Sequence, residues 1–232
     1  MEEAEKPQPE ALGRQIRALA RAADRAALAT ALPEGRPYAS LVLLALDLDV
    51  TPLLLLSDLA EHSRNLAHDP RLALLIDGTA GLEDPLTGPR ASLIGRAVPS
   101  SDRRLRARFI ARHPSAEAYA GFADFKLYRV EPERAHFVAG FGRIRWVEAK
   151  DLRLTSDCST LMEAEPGFIA DFNRDRGAAA EKLLRRGAGW RMTGIDPEGA
   201  DFRRKGETAR LDFAAPVWDV VGIRAALKES SS

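Results

Sequence analysis

Short apolar segments separated by turn residues fill the chain between residues 25 and 77 and predict a run of strands. In chain order these are Arg25–Ala31, Pro37–Leu46, Thr51–Leu56 and Arg71–Ile76. Most of the connections are too short for the crossover that parallel strands need, so we expect antiparallel pairing. Before the first strand, apolar side chains recur every three or four residues and predict one helix, Pro9–Asp24.

The next part of the chain continues this pattern. After a loop at 78–89, strands are predicted at Arg90–Val98, Phe125–Val130, Ala135–Ala139 and Arg143–Val147. A basic helix, Asp102–Arg112, capped by Ser100 or Ser101, and a helical segment, Ser115–Ala123, lie between them. Six or seven antiparallel strands with helices over the ends predict a small closed or nearly closed barrel.

The sequence changes character beyond residue 150. The predicted elements are a long helix at Ser159–Arg186, a strand at Trp190–Ile195, a turn at Asp196–Gly199, a strand ending at Phe213 and a last helix at Pro216–Leu227. We therefore predict an α+β protein with two domains, a barrel at residues 10–150 and a small α+β domain at residues 151–232.

The charged residues balance, with 34 basic and 34 acidic side chains. Neither nucleic acid nor a membrane is therefore an expected partner. The segment Met1–Glu10 is acidic and contains proline, unlike a signal or transit peptide, so we expect a cytoplasmic protein. The single cysteine, Cys158, excludes an internal disulfide and a thiolate metal cluster.

Residue types that serve catalysis or metal binding do not recur at a useful spacing. His62 and His68 are six residues apart and cannot share a helical face as a metal pair would. No metal site is expected, and no general acid, base or nucleophile can be assigned. The basic helix concentrates arginines that we expect to form a solvated face or salt bridges in a dimer, namely Arg103, Arg104, Arg106, Arg108 and Arg112.

A polar corner follows the apolar strand that ends at Leu56. Asp58 and Glu61 have the spacing of a capping box, which predicts a helix from Leu59 to Asp69. The first turn of such a helix presents free N–H groups and a positive dipole end. This combination suits a phosphate dianion.

Side chains at the same corner add donors for an anion. Arg64 offers a fork that can grip two phosphate oxygens, and Ser63 and Asn65 offer neutral groups beside it. The alternative is a surface helix whose Arg64 and Asn65 face water. Spacing alone leaves both interpretations open.

Several segments taken together resemble a known family. In order they are Ala39–Leu44, Leu54–Ser57, His62–Leu66, Asp84–Arg90 and Gly140–Arg143. The chain resembles the haem-iron-utilisation branch of the pyridoxamine 5′-phosphate oxidase-like, FMN-binding split-barrel proteins, and the resemblance covers residues 10–150. The C-terminal part resembles the small domain that is often fused to that barrel.

The resemblance implies a six-stranded split barrel that forms a homodimer and holds FMN at the subunit interface as a flavin-dependent oxidoreductase. It implies that the phosphate lies on Ser57, Ser63, Arg64 and Asn65, and that the flavin ring lies over the strand carrying Tyr38, Ser40, Leu41 and Val42. The oxidases have lysine in place of Asn65 and Ala45 and arginine in place of Ser40, which implies weaker FMN binding here. The oxidases' segment that contacts pyridoxine is not reproduced after Trp146, so pyridoxamine-phosphate oxidation is not expected.

The resemblance also leaves two alternative functions. One is a haem-binding or haem-degrading protein of iron utilisation, with His113 or His136 as the iron ligand. Related C-terminal domains carry a His-x-Asn-x-x-His pattern, but the matching stretch here, 171–176, has lost both histidines. The other alternative is a flavin-binding module without turnover.

Overall fold

Two antiparallel sheets, one of eight strands and one of three, are found in the residues that the computed structural model describes, 9–140, 143–154, 156–175 and 178–230. The strands are β1 Arg25–Ala31, β2 Pro37–Leu43, β3 Ala45–Leu46, β4 Pro52–Ser57, β5 Arg71–Asp77, β6 Pro89–Ser100, β7 Phe125–Ala139, β8 Ile144–Glu148, β9 Arg191–Asp196, β10 Gly199–Arg204 and β11 Glu207–Asp212. The helices are α1 Pro9–Ala22, α2 Glu61–His68, α3 Arg103–Arg112, α4 Ala149–Leu152, α5 Ser159–Phe172, α6 Ala178–Leu184 and α7 Val220–Glu229. Short 3₁₀ helices span Pro85–Thr87, Pro114–Ala118 and Asn173–Asp175.

The large sheet curls into a split barrel, which confirms the predicted α+β fold. Its strand order is β2-β1-β5-β6-β7-β4-β3, with β8 paired to β7. The inner side of the curl is filled by aliphatic side chains that exclude water, including Leu28, Leu54, Leu74 and Ile76. Burial of these side chains is the main stabilising term for this part of the molecule.

The strands differ from the prediction in two places. The predicted strand Pro37–Leu46 breaks at Leu44, because the Leu44 N–H donates to Asp24 O (3.0 Å) instead of to a neighbouring strand. The two predicted strands at Phe125–Val130 and Ala135–Ala139 form one strand, β7. A register shift opposite Gly95 lets that strand continue through Pro132, which has no N–H to donate.

The predicted helix Ser159–Arg186 is wrong as a single element. α5 ends where Asn173 turns its side chain onto β9, donating from Nδ2 to Met192 O (2.9 Å) and accepting from Met192 N at Oδ1 (2.8 Å). Because the Asn173 side chain makes hydrogen bonds to both backbone groups of Met192, it fixes the end of the helix beside β9. The small sheet is a three-stranded meander of β9, β10 and β11, so the single strand predicted to end at Phe213 is a hairpin.

The C-terminal part has its own apolar core, with Trp190, Phe202 and Ile223 fully buried. One barrel residue, Leu48, is also buried in that core. The domain boundary at residue 150 stays a prediction. The segment Gly140–Arg143 contains Phe141 and Gly142, which lie outside the described residues.

Most of the arginines in the basic helix do not form a solvated face. Arg108 and Arg112 are buried and form ion pairs with Glu165 and Asp201 of the C-terminal part. Arg104 pairs with Asp47 at 2.7 Å.

Helix α1 contributes two further buried pairs to the same contact. Arg17 pairs with Glu198 at 2.7 Å and Arg21 with Asp196 at 3.3 Å. In the four pairs that cross between the two parts among the described residues, the cation comes from the barrel and the carboxylate from the C-terminal part. We call these four pairs the junction.

Candidate functional site

One face of the barrel sheet carries a row of residues that spans six strands. Cross-strand pairing aligns Leu41, Ala27, Leu75, Ser92, His136 and Trp146 in that order. Paired residues point to the same side of a sheet, and Leu41 is 70% exposed, Leu75 42% and Trp146 52%. This outer face, as we call it, is an extended apolar surface of the kind that marks an interaction or ligand site.

His136 and Trp146 stand together at one end of the row. Their ring centres are 4.8 Å apart with a tilt of 44°, and the Arg134 guanidinium lies 4.5 Å from the centre of the Trp146 ring. Among the described residues, no group forms a hydrogen bond with the His136 imidazole. A half-buried imidazole with a free nitrogen, next to an aromatic ring and a cation, can bind a transition metal held in a flat ligand.

The other three histidines of the chain lie elsewhere. His113 is 1% exposed, its Nε2 lies 2.8 Å from Leu44 O, and burial lowers its pKa to about 4. It ends α3 as predicted, but its burial makes it unsuited to reach an iron. His68 is exposed in the last turn of α2, and His62 Nδ1 lies 3.1 Å from Ser40 Oγ.

The helix of the predicted phosphate corner starts later than predicted. The capping box is wrong, because α2 starts at Glu61 with Ala60 as a cap that makes no side-chain hydrogen bond. Asp58 instead pairs with Lys126 at 2.7 Å, and Glu61 pairs with Arg64 at 3.2 Å. The Arg64 side chain is 62% exposed.

The neutral donors of that corner are occupied or enclosed. Ser57 Oγ lies 2.7 Å from an Asp124 carboxylate oxygen and donates to it. Asn65 is fully buried and donates from Nδ2 to Thr30 Oγ1 at 2.9 Å. Ser63 is buried, and its hydroxyl has no partner among the described residues. The carboxylates of Asp58 and Asp124 thus lie beside Ser57, and Lys126 pairs with the first of them. The assignment of a phosphate to this corner stays a prediction.

The residues predicted to lie under a flavin ring divide between the two faces of β2. Side chains alternate along a strand, so Leu41 lies on the outer face while Tyr38, Ser40 and Val42 turn the other way. Val42 is buried in the barrel core. The hydrogen bond between Ser40 and His62 does bring β2 beside α2, so the predicted ring strand and the predicted phosphate helix are neighbours.

Two further absences concern the residues that the structure describes. No group of three or more His, Cys, Asp or Glu side chains in them could hold a metal ion. Their helices are all too short or too polar to cross a membrane.

Cys158 is free and buried, and burial raises the pKa of its thiol to about 11. A thiol of that kind is a poor nucleophile near neutral pH.

Comparisons with known proteins agree with the fold. A family model described as pyridoxamine 5′-phosphate oxidase matches residues 12–139. The solved structure of Atu2129 from Agrobacterium tumefaciens, a protein of unknown function, has a TM-score of 0.80 and 30% identity, covering 99% of this chain and 100% of its own. The structure of a heme binding protein from Mycobacterium smegmatis has a TM-score of 0.60 and 29% identity, covering 97% of each chain.

A plant protein gives a local match. The chloroplastic non-canonical heme oxygenase HOZ of Arabidopsis thaliana is 37% identical over 110 residues, which is 46% of this chain. The aligned region spans 33% of the length of that relative.

Proposed function

The chain belongs to the pyridoxamine 5′-phosphate oxidase family, and on that premise we propose that it binds haem on the outer face of its barrel, with His136 as the iron ligand. The observation that carries the proposal is the position of His136, whose imidazole lacks a hydrogen-bond partner among the described residues, in an apolar row that ends at Trp146. The haem-binding relative from Mycobacterium smegmatis, similar over nearly the whole chain, supports it.

The chemistry of the outer face matches the chemistry of haem. The macrocycle is flat and apolar, and the exposed side chains of Leu41, Leu75 and Trp146 would cover such a surface by apolar contact. Arg134 beside Trp146 would meet one of the acidic side chains of the porphyrin. His136 would supply a ring nitrogen that holds the iron, and bound haem would supply an iron centre able to bind oxygen.

The outer face is also the surface that we assign to a homodimer. It is wide and apolar, and β2 at its edge is followed by no further hydrogen-bonded strand in the described residues. A second copy of the chain on this face would cover the exposed leucines and enclose a flat ligand from both sides. Enclosure matters because a ligand open to water on one side loses part of its apolar contact.

A flavin-dependent oxidoreductase is the second candidate. The hydrogen bond between Ser40 and His62 favours it, because the strand predicted to carry the ring adjoins the helix predicted to carry the phosphate. Arg64, Ser63 and Asn65 would be the phosphate ligands, although Asn65 already serves Thr30. This candidate is weaker than haem binding because the Ser57 hydroxyl already donates to the Asp124 carboxylate.

Absorbance spectroscopy of the purified protein tests the proposal. Added haem should give a shifted Soret band in the parent and in His68→Ala, while His136→Ala should lose the shift or bind haem at least tenfold more weakly. His68 is the matched control because it is an exposed histidine on α2. An unchanged Soret band in His136→Ala would contradict the assignment of the ligand.

The same measurements separate the flavin candidates from haem. Protein that purifies with FMN and loses it in Arg64→Ala would support the flavoprotein, since a charge-assisted phosphate contact is worth about 1.5–3 kcal/mol. Steady NAD(P)H-dependent turnover would then distinguish an oxidoreductase from a binding module without turnover. Absence of a spectral change with haem would remove the first proposal.

A further inference from the structure

A cavity separate from the outer face lies where the end of α3 meets the small C-terminal sheet. Its volume is about 400 Å³, within the range of small-molecule sites. The charged side chains that line it are all cationic, namely Arg191 on β9, Arg203 on β10 and Lys205 at the tip of the next hairpin. Carboxylates are missing from its lining among the described residues.

The two arginines stand opposite each other in the sheet. Arg203 and Arg191 are direct cross-strand partners, so their side chains leave the same face. Like charges in that position destabilise a sheet unless a counter-charge lies between them. Neither arginine forms an ion pair with a carboxylate in the part of the chain that the structure describes, and the same holds for Lys205.

Arg203 is held in place without being neutralised. Its Nε donates to Lys205 O at 3.1 Å, and its Nη1 donates to Arg112 O at 3.0 Å. Carbonyl partners orient a guanidinium but leave its full charge. Its Nη2 has no hydrogen bond to a described residue, so the group keeps a donor for a ligand.

The remainder of the lining is uncharged. Ala111 and Pro114 approach from the barrel side, whereas the Met192 side chain is buried in the core of the C-terminal part. Asn173 at the rim is already satisfied by the backbone of Met192 and needs no ligand. The cavity therefore combines cationic groups with uncharged surface to which Ala111 and Pro114 contribute apolar contacts.

We propose that this cavity binds an organic anion, a molecule with one carboxylate or phosphate group on an apolar body. The acid group would lie between Arg191 and Arg203, where a guanidinium can make two parallel hydrogen bonds to it. The apolar body would rest against Ala111 and Pro114. This site does not depend on the proposed haem site, because the two share no residue.

Calorimetric titration with small probes tests the site. Benzoate carries a carboxylate on an apolar ring, and phenyl phosphate carries a phosphate on the same kind of ring. Benzyl alcohol is the neutral analogue. At least one acid should bind the parent, and Arg191→Gln should weaken that binding tenfold or more. Arg36→Gln is the matched control, because Arg36 is an exposed arginine in the turn between β1 and β2.

A stability measurement covers the case of a variant that folds poorly. At low ionic strength and without a probe, Arg191→Gln should be at least as stable as the parent, since it removes a like-charge pair. The acid probe should raise the unfolding temperature of the parent and of Arg36→Gln but not that of Arg191→Gln. The proposal is overturned if neither acid binds at millimolar concentration, if benzyl alcohol binds as tightly as the acids, or if Arg191→Gln binds within twofold of the parent.

Discussion

Arg17 and Glu198 form a two-pronged ion pair inside the protein, between the first helix and the turn that joins β9 to β10. Arg17 Nε lies 2.9 Å from Oε2 and Nη2 lies 2.7 Å from Oε1 of Glu198. The side chains are 7% and 8% exposed. Because neither charge can return to water without separating the two parts of the chain, this pair links barrel and C-terminal part.

Removing one member of this pair should destabilise the whole protein. Glu198→Ala leaves the Arg17 guanidinium buried without its partner, and we expect the free energy of unfolding to fall by about 3–5 kcal/mol. Urea denaturation followed by circular dichroism measures the change. Glu207→Ala is the control, since Glu207 pairs with Arg204 near the surface and its loss should change stability by less than about 1 kcal/mol. Equal effects of the two substitutions would contradict the structural role of the junction.

Asn65 should act on stability and not on ligand binding. Its Nδ2 donates to Thr30 inside the barrel, so Asn65→Ala leaves the Thr30 hydroxyl buried without a partner. We expect a loss of about 1–3 kcal/mol in the free energy of unfolding, with unchanged affinity for haem. In a Thr30→Val background the same substitution should matter less, because the hydroxyl is already gone. A large loss of FMN affinity at unchanged stability would instead make Asn65 a phosphate ligand.

His113 should make the protein less stable in mild acid. Burial lowers the pKa of His113 to about 4 in the folded protein, below its usual value of 6.5. The unfolded chain therefore binds a proton in this window that the folded chain does not, and stability is lost as the pH falls from about 6.5 towards 4. At pH 5 the linkage amounts to about 2 kcal/mol.

A comparison of the parent with a His113 variant isolates the contribution of His113 to the pH dependence of stability. Unfolding free energies of the parent and of His113→Gln should be compared at pH 7.5 and pH 5. The parent should lose more stability than the variant over that interval, since both share every other titrating group. Parallel losses in the two proteins would show that His113 does not govern this pH dependence.

A charge on the outer face should separate the two copies of the chain. Leu41 is 70% exposed in the row of the outer face, and Leu41→Lys would place an ammonium group in the proposed dimer interface. We expect the molar mass from light scattering to fall from that of a dimer towards that of a single chain. Val221→Lys is the control, because Val221 is 77% exposed on α7 and should tolerate the same change. A parent protein that is already monomeric would exclude the homodimer.

Local features of the barrel could be predicted because they depend on neighbouring residues. Strand β1 has the predicted bounds, since its alternation reports burial on one face directly. The ends of helices could not be predicted in the same way, because they depend on contacts with residues far along the chain. Asp58 faces Lys126 instead of the helix, and Asn173 ends a helix by bonding a strand. No pattern within ten residues of either one carries that information.

In the candidate site, too, local features could be predicted from the sequence and long-range contacts could not. The histidines are visible in the sequence, but the row that joins Leu41 to His136 exists only once the register of six strands is known. The arginines of α3 are also visible. Their ion-pair partners could not be predicted, because these carboxylates lie about sixty to ninety residues later in the chain. Arg108 pairs with Glu165 and Arg112 with Asp201.

The one-sided charge of the junction affects what would happen to a divided chain. A fragment ending at residue 150 would present the guanidinium groups of Arg17, Arg21, Arg108 and Arg112 to water, and the remaining fragment would present the matching acids. Arg210 of the C-terminal fragment would stay paired with Asp196 and Asp201, while Glu165 and Glu198 would lose their cations, so the two fragments would attract each other at these surfaces. The two co-expressed fragments are therefore expected to associate into one molecule. Added salt should slow their association, because it screens the attraction between the opposite charges.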